Sequence, residues 1–168
     1  MAIKGLPKMR KCKKYELTNE TIEVKDEFGR MTTLHRIKAL ISFGDVKKGD
    51  LGGFIESEHN LSHHGGCWVG DDAKVYNAAV VWVHAKVFEN AVICDEVHVN
   101  GFAKVHGNVR AYGRAIIGGR ARIFGDTQLF SGAWVTGKKE ISTGLMYSGD
   151  RVETIDELRE RYAALSKR

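Results

Sequence analysis

Residues 97–119 read VHVNGFAKVHGNVRAYGRAIIGG. Apolar residues stand two apart, as in Ala103 and Val105, and each such pair returns after six residues with a glycine between pairs at Gly101, Gly107, Gly113 and Gly119. Outward from this stretch the same register runs from residue 73 to residue 137 without a slip. The first position of each hexad is Ala73, Ala79, Ala85, Ala91, Val97, Ala103, Val109, Ala115, Ala121, Thr127 and Ala133. The third is Val75, Val81, Val87, Ile93, Val99, Val105, Ala111, Ile117, Ile123, Leu129 and Val135.

A spacing of two places both residues on one side of an extended strand, and it does not follow the 3.6 period of a helix. The fifth position is glycine, or Asn77, Glu89, Asp95 or Ser131, residue types that tolerate a turn; Val83 is the exception. Short strands joined by single-residue corners, with no hairpin signal, describe a solenoid. The expected class is all-β: a parallel β-helix over 61–137, an N-terminal β capping module over 15–60 and a C-terminal return segment with an α-helix over 138–168. In that last segment Thr154 and Glu157 form a capping box, and Ile155, Leu158, Tyr162 and Leu165 make one apolar stripe. The stripe suits packing on the last coil, on another subunit or on a recruited partner. The N-terminal module is needed because a solenoid end exposes unpaired strand edges.

The repeat resembles the hexapeptide-repeat left-handed β-helix superfamily, where three hexads make a triangular coil of about 18 residues. Glycine falls one place later than in most members, as in Val105-His106-Gly107-Asn108-Val109. This resembles a bacterial and phage-associated subset with A-x-V-x-G-N/D repeats. The resemblance reaches upstream through Gly52-Gly53-Phe54-Ile55, Asn60-Leu61-Ser62, Gly65 and Cys67-Trp68-Val69, and covers residues 14–137. It implies left-handedness, a homotrimer and, for a phage-encoded protein, sequestration or inhibition of a host component in the host cytoplasm.

The chain has 26 Lys+Arg against 21 Asp+Glu, for a net charge of +5. Six of those cations (Lys4, Lys8, Arg10, Lys11, Lys13 and Lys14) stand in an acid-free N-terminal arm over residues 1–14, so residues 15–168 carry a net charge of −1. The arm reads either as a nucleic-acid contact through Lys4–Lys14 or as a solvated terminus. Three widely spaced cysteines suit a reducing, cytoplasmic compartment, and neither a signal peptide nor a membrane-spanning run is expected.

Every third hexad returns to the same face, which sorts the outward residues. One face carries Ser62, His64, Val80, Trp82, His98, Asn100, Ile116, Gly118, Trp134 and Thr136, without a formal charge. Val80, Trp82, Ile116 and Trp134 on it are expected to join subunits, unless residues 138–168 fold back over them. The second face carries Trp68 and Gly70 and then alternates Lys86, Lys104 and Arg122 with Phe88, His106 and Phe124; those last six are the expected binding site for an anionic, nucleotide-like ligand or a host protein. The third is mixed, with Lys74, Tyr76, Val92, Cys94, Arg110, Tyr112, Gln128 and Phe130.

A competing enzymatic reading follows from hexapeptide acyltransferases, which use a histidine general base in an intersubunit cleft. His98 and His84 would fill that role here, although 73–137 contains no inserted loop to build a cleft. A zinc reading follows from the resemblance to carbonic anhydrases on the same scaffold, which combine an H-x4-H pair with a more upstream His. His59 and His64 have that spacing and His63 adds a third nitrogen, but the upstream partner would be His35, outside the helix, so the order of elements matches poorly. Neither a metal nor a cofactor is expected. Cys67 is expected to point inward as a small apolar residue. The leading expectation is a non-enzymatic, oligomeric binding protein.

Overall fold

The computed structural model describes residues 13–26 and 29–146. The apolar stripe over residues 154–167 and the cations from Lys4 to Lys11 lie outside the described residues.

Strand β1 (Tyr15–Lys25) and strand β2 (Met31–Ala39) form an antiparallel hairpin with a register shift between Leu17 and Thr21. Strand β3 (Leu51–Ile55) pairs antiparallel with β2 and parallel with the strand Lys74–Val75. From there, two-residue strands from Trp68–Val69 to Leu145–Met146 wind into a parallel β-solenoid with sheets of eight, five and four strands. The hairpin and β3 belong to the eight-stranded sheet, so the capping module extends one wall of the prism. The strand after the turn at Gly29 ends at Ala39, and Phe43 joins Val46 in a separate bridge.

Partners one coil apart are 18 residues apart from Trp68↔Lys86 through Arg122↔Glu140. The first coil is two residues longer, since Phe54 pairs with Lys74 and Leu61 with Val81. This corrects one placement on the uncharged face. The Ser62 amide donates to Val81 O, which aligns Ser62 with Trp82 and leaves His64 in the enlarged corner. The last coil is one residue shorter, with Leu129 opposite Met146.

The first- and third-position side chains fill the prism. Every one of them from Ala73 to Val135 is buried, and Cys67 continues the Ala85–Ala103–Ala121 column at the N-terminal end. The corner residue of each hexad has a positive φ, from Asp71 (+51°) and Asn77 (+56°) through Val83 (+65°) to Gly137 (+81°). Val83 is a β-branched side chain in the left-handed region, a conformation that costs roughly 1–3 kcal/mol. In the early coils, acidic corners serve the next coil: Asp71 Oδ2 accepts from the Glu89 amide (3.0 Å), and Glu89 Oε2 from the Gly107 amide (2.7 Å). From Gly101 onward the corners are glycine except Ser131, whose φ is +59°. A Cβ on Gly119 would lie 2.6 Å from Gly137 N.

Hydrogen bonds give the solenoid a polarity. The outward-facing residues of each coil donate their N–H groups to carbonyls of inward-facing residues on the next, as in Trp68 N to Ala85 O (3.0 Å) and Lys104 N to Ala121 O (2.9 Å). The first coil therefore turns carbonyl oxygens toward the N-terminal end, where they need donors. The capping module supplies them from long side chains. Lys14 Nζ donates to Cys67 O (2.8 Å) and Gly65 O (3.3 Å), Tyr15 Oη to Leu61 O (2.6 Å), and Arg36 Nη1 to Gly52 O (2.9 Å) and Asp71 O (3.2 Å). Lys14, counted from sequence with the basic arm, is buried, and Lys13 pairs with Glu58 at 2.7 Å.

Candidate functional site

On the five-stranded sheet, Lys86, Lys104 and Arg122 stand in register on successive coils, with Trp68 before them and Glu140 after. Beside them the rings of Phe88, His106 and Phe124 form a ladder. Centroids are 4.7 Å apart for Phe88–His106 and 5.4 Å for His106–Phe124, with the planes within 9° of parallel. The strand register produces this stack, since identical positions on adjacent coils repeat at about 4.8 Å, inside the range of favourable aromatic pairs.

The charges are less open than the sequence suggests. Lys86 Nζ forms an ion pair with Asp45, and Arg122 Nη1 donates to Glu140 Oε1 at 2.8 Å. The Asp45 carboxyl is held below its usual range, first by the hydrogen bond from Lys86. His106 Nδ1 lies 3.5 Å from Glu89 Oε2. Lys104 is exposed and has no ion pair among the described residues. Asp45 comes from the loop between β2 and β3, 41 residues before Lys86, so no local pattern announced it.

The four-stranded sheet carries the uncharged face. Val80, His98, Ile116 and Trp134 are in register on its successive strands. Trp82 is 44% exposed, Ile116 39% and Trp134 66%. Phe102, 56% exposed, stacks on His84 at 4.8 Å at the corner between this sheet and the cation–aromatic one.

Neither acyltransferase candidate is paired with a carboxylate among the described residues. His84 Nδ1 accepts from the Gly66 amide at 3.1 Å. His98 is exposed and makes no hydrogen bond or ion pair to a carboxylate among the described residues. The histidines weighed for zinc are dispersed. His63 accepts the Lys14 amide on Nδ1 at 3.2 Å and stacks on Tyr15 at 4.3 Å, while His35 lies near Thr18 O. No group of three potential metal ligands occurs among the described residues, and no helix there is long and apolar enough to cross a membrane.

Sequence reasoning missed the plug at the N-terminal end. Lys14 Nζ also lies 3.2 Å from Cys67 Sγ and 4.9 Å from the centroid of the Phe43 ring. Burial pulls the Lys14 ammonium below its usual value and pushes the Cys67 thiol and the Tyr15 hydroxyl above theirs. The Lys14 ammonium and the Tyr15 hydroxyl already serve carbonyls and the thiol, and so tie the capping module to the end of the prism. No protein-family model matches the chain, and a search of curated proteins finds no match.

Proposed function

We propose that the chain is a non-enzymatic binding protein that self-associates through its uncharged face and holds an anionic, nucleotide-like ligand on its cation–aromatic face. The observation that carries this reading is the Phe88–His106–Phe124 ladder running alongside an in-register column of Lys86, Lys104 and Arg122. Stacked rings offer apolar, planar surface, and the adjoining cations offer charge to a phosphate. A homotrimer suits a three-walled prism with one uncharged wall, because hiding Trp82, Ile116 and Trp134 from water is worth about 25 cal/mol per Å². The finer reading, of a phage-associated hexapeptide protein acting on a host component, rests on the A-x-V-x-G-N/D resemblance alone.

Charge reversal tests the binding face. In a calorimetric titration with GTP at low salt, Lys104→Asp/Arg122→Asp is expected to bind at least tenfold more weakly than the unaltered chain. Lys74→Asp, on the eight-stranded sheet, should bind normally. Unchanged binding in the double variant, with fold and assembly intact, would place any anion site elsewhere.

A further inference from the structure

The aromatic ladder stops one coil short. The register that pairs Trp68 with Lys86, and Lys86 with Lys104, puts Gly70, Phe88, His106 and Phe124 in one column. Nothing in the backbone requires glycine at its head. Gly70 is absent from the positive-φ residues, and a Cβ there would meet Phe88 Cβ at 3.5 Å and Trp68 Cδ1 at 3.6 Å, which is ordinary contact. The neighbouring Gly52 and Gly53 differ, since a Cβ on either would come within 2.5 Å of a carbonyl oxygen. Gly70 is buried against Trp68 and Phe88, and the space beyond it is one that a longer side chain would take.

That room belongs to a cavity of about 430 Å³. Trp68 and Phe88 give it apolar surface, and Asp50, Asp71 and Lys104 add polar groups. Trp68 is anchored edge-on by Phe43 at 5.5 Å and by Tyr15 at 6.5 Å, so that wall is rigidly backed. Asp50 Oδ2 accepts the Lys47 amide at 2.8 Å and Asp71 Oδ2 accepts the Glu89 amide at 3.0 Å. Each carboxylate retains its second oxygen as an acceptor. Asp45 occupies Lys86, and Lys104 remains the cation with no ion pair among the described residues.

We infer that this cavity is a purine-nucleotide site, in which the base takes the place of the missing ring above Phe88. A ring at the level of Gly70 would continue the 4.7 and 5.4 Å spacings of the ladder. Its amino and imino N–H groups match the acceptor oxygens of Asp50 and Asp71, and its phosphate matches Lys104. Asp50, Asp71 and Lys104 are exposed, so they offer hydrogen bonds and charge to a ligand at little desolvation cost. The site rests on the reading of this face as an anion-binding surface and locates the ligand on it.

The test is a GTP titration of the full chain by calorimetry, with ribose 5-phosphate as the probe lacking a base. Gly70→Phe adds a ring to the head of the column, so its thermal midpoint should equal or exceed that of the unaltered chain while its GTP affinity falls at least tenfold. Asp71→Asn provides a second variant that keeps the bond from the Glu89 amide but replaces an acceptor by an NH₂ donor, and it should weaken GTP several-fold. Ribose 5-phosphate should bind at least tenfold more weakly than GTP. Full GTP affinity in both variants, or equal binding of the two probes, overturns the slot. If Gly70→Phe keeps GTP while Lys104→Asp/Arg122→Asp loses it, the slot fails and the binding face stands. Retention in the double reversal, or no saturable GTP binding by the unaltered chain, overturns both.

Discussion

Val105→Asp is expected to leave no soluble folded protein. Val105 is completely buried, paired in register with Val87 before it and Ile123 after it. A carboxylate there would meet only apolar side chains and carbonyl-paired backbone. An unpaired buried ion costs several kcal/mol, a large part of the roughly 5–15 kcal/mol by which a domain is stable. The neighbouring Lys104 is exposed on the opposite side of the same strand, and Lys104→Asp should change stability by less than about 0.5 kcal/mol. Soluble yield and circular dichroism compare the two. Equal tolerance would mean that the inward and outward registers are exchanged.

Lys14→Ala should have the next largest effect on stability, about 3 kcal/mol. It strips donors from Cys67 O and Gly65 O and removes a buried aliphatic stem from the end of the prism. A buried acceptor left unsatisfied costs about 1–3 kcal/mol. Lys14→Met separates the two contributions, since it restores the stem without the donors. Chemical denaturation should rank the unaltered chain above Lys14→Met and Lys14→Met above Lys14→Ala. If Lys14→Met matches the unaltered chain, the ammonium does not hold the carbonyl edge.

The repeats were legible because six-residue periodicity is a local property. Each strand's inward pair, each corner and each face follow from counting, and the stacking of Lys86 on Lys104, or Phe88 on His106, follows from the 18-residue return. Counting failed where the coil length changes. Two extra residues around His63 and His64 and one fewer before Leu145 shift the register, and neither change carries a sequence signature. The charge pattern on the binding face was legible only in part. The partners of Lys86 and Arg122 are Asp45, from a distant loop, and Glu140, one coil on. Counting places Gly70 on the same face, but that its backbone does not require glycine is visible only in the structure.

Native mass spectrometry of freshly isolated protein tests the account most directly, because one spectrum reads both subunit number and bound ligand. The chain mass is 18.7 kDa. The account predicts a species of three chains carrying added mass of a phosphate-bearing ligand, with that added mass gone from Lys104→Asp/Arg122→Asp and a single chain from Trp82→Lys. A single unaltered chain of 18.7 kDa with no added mass, across micromolar concentrations, would contradict it.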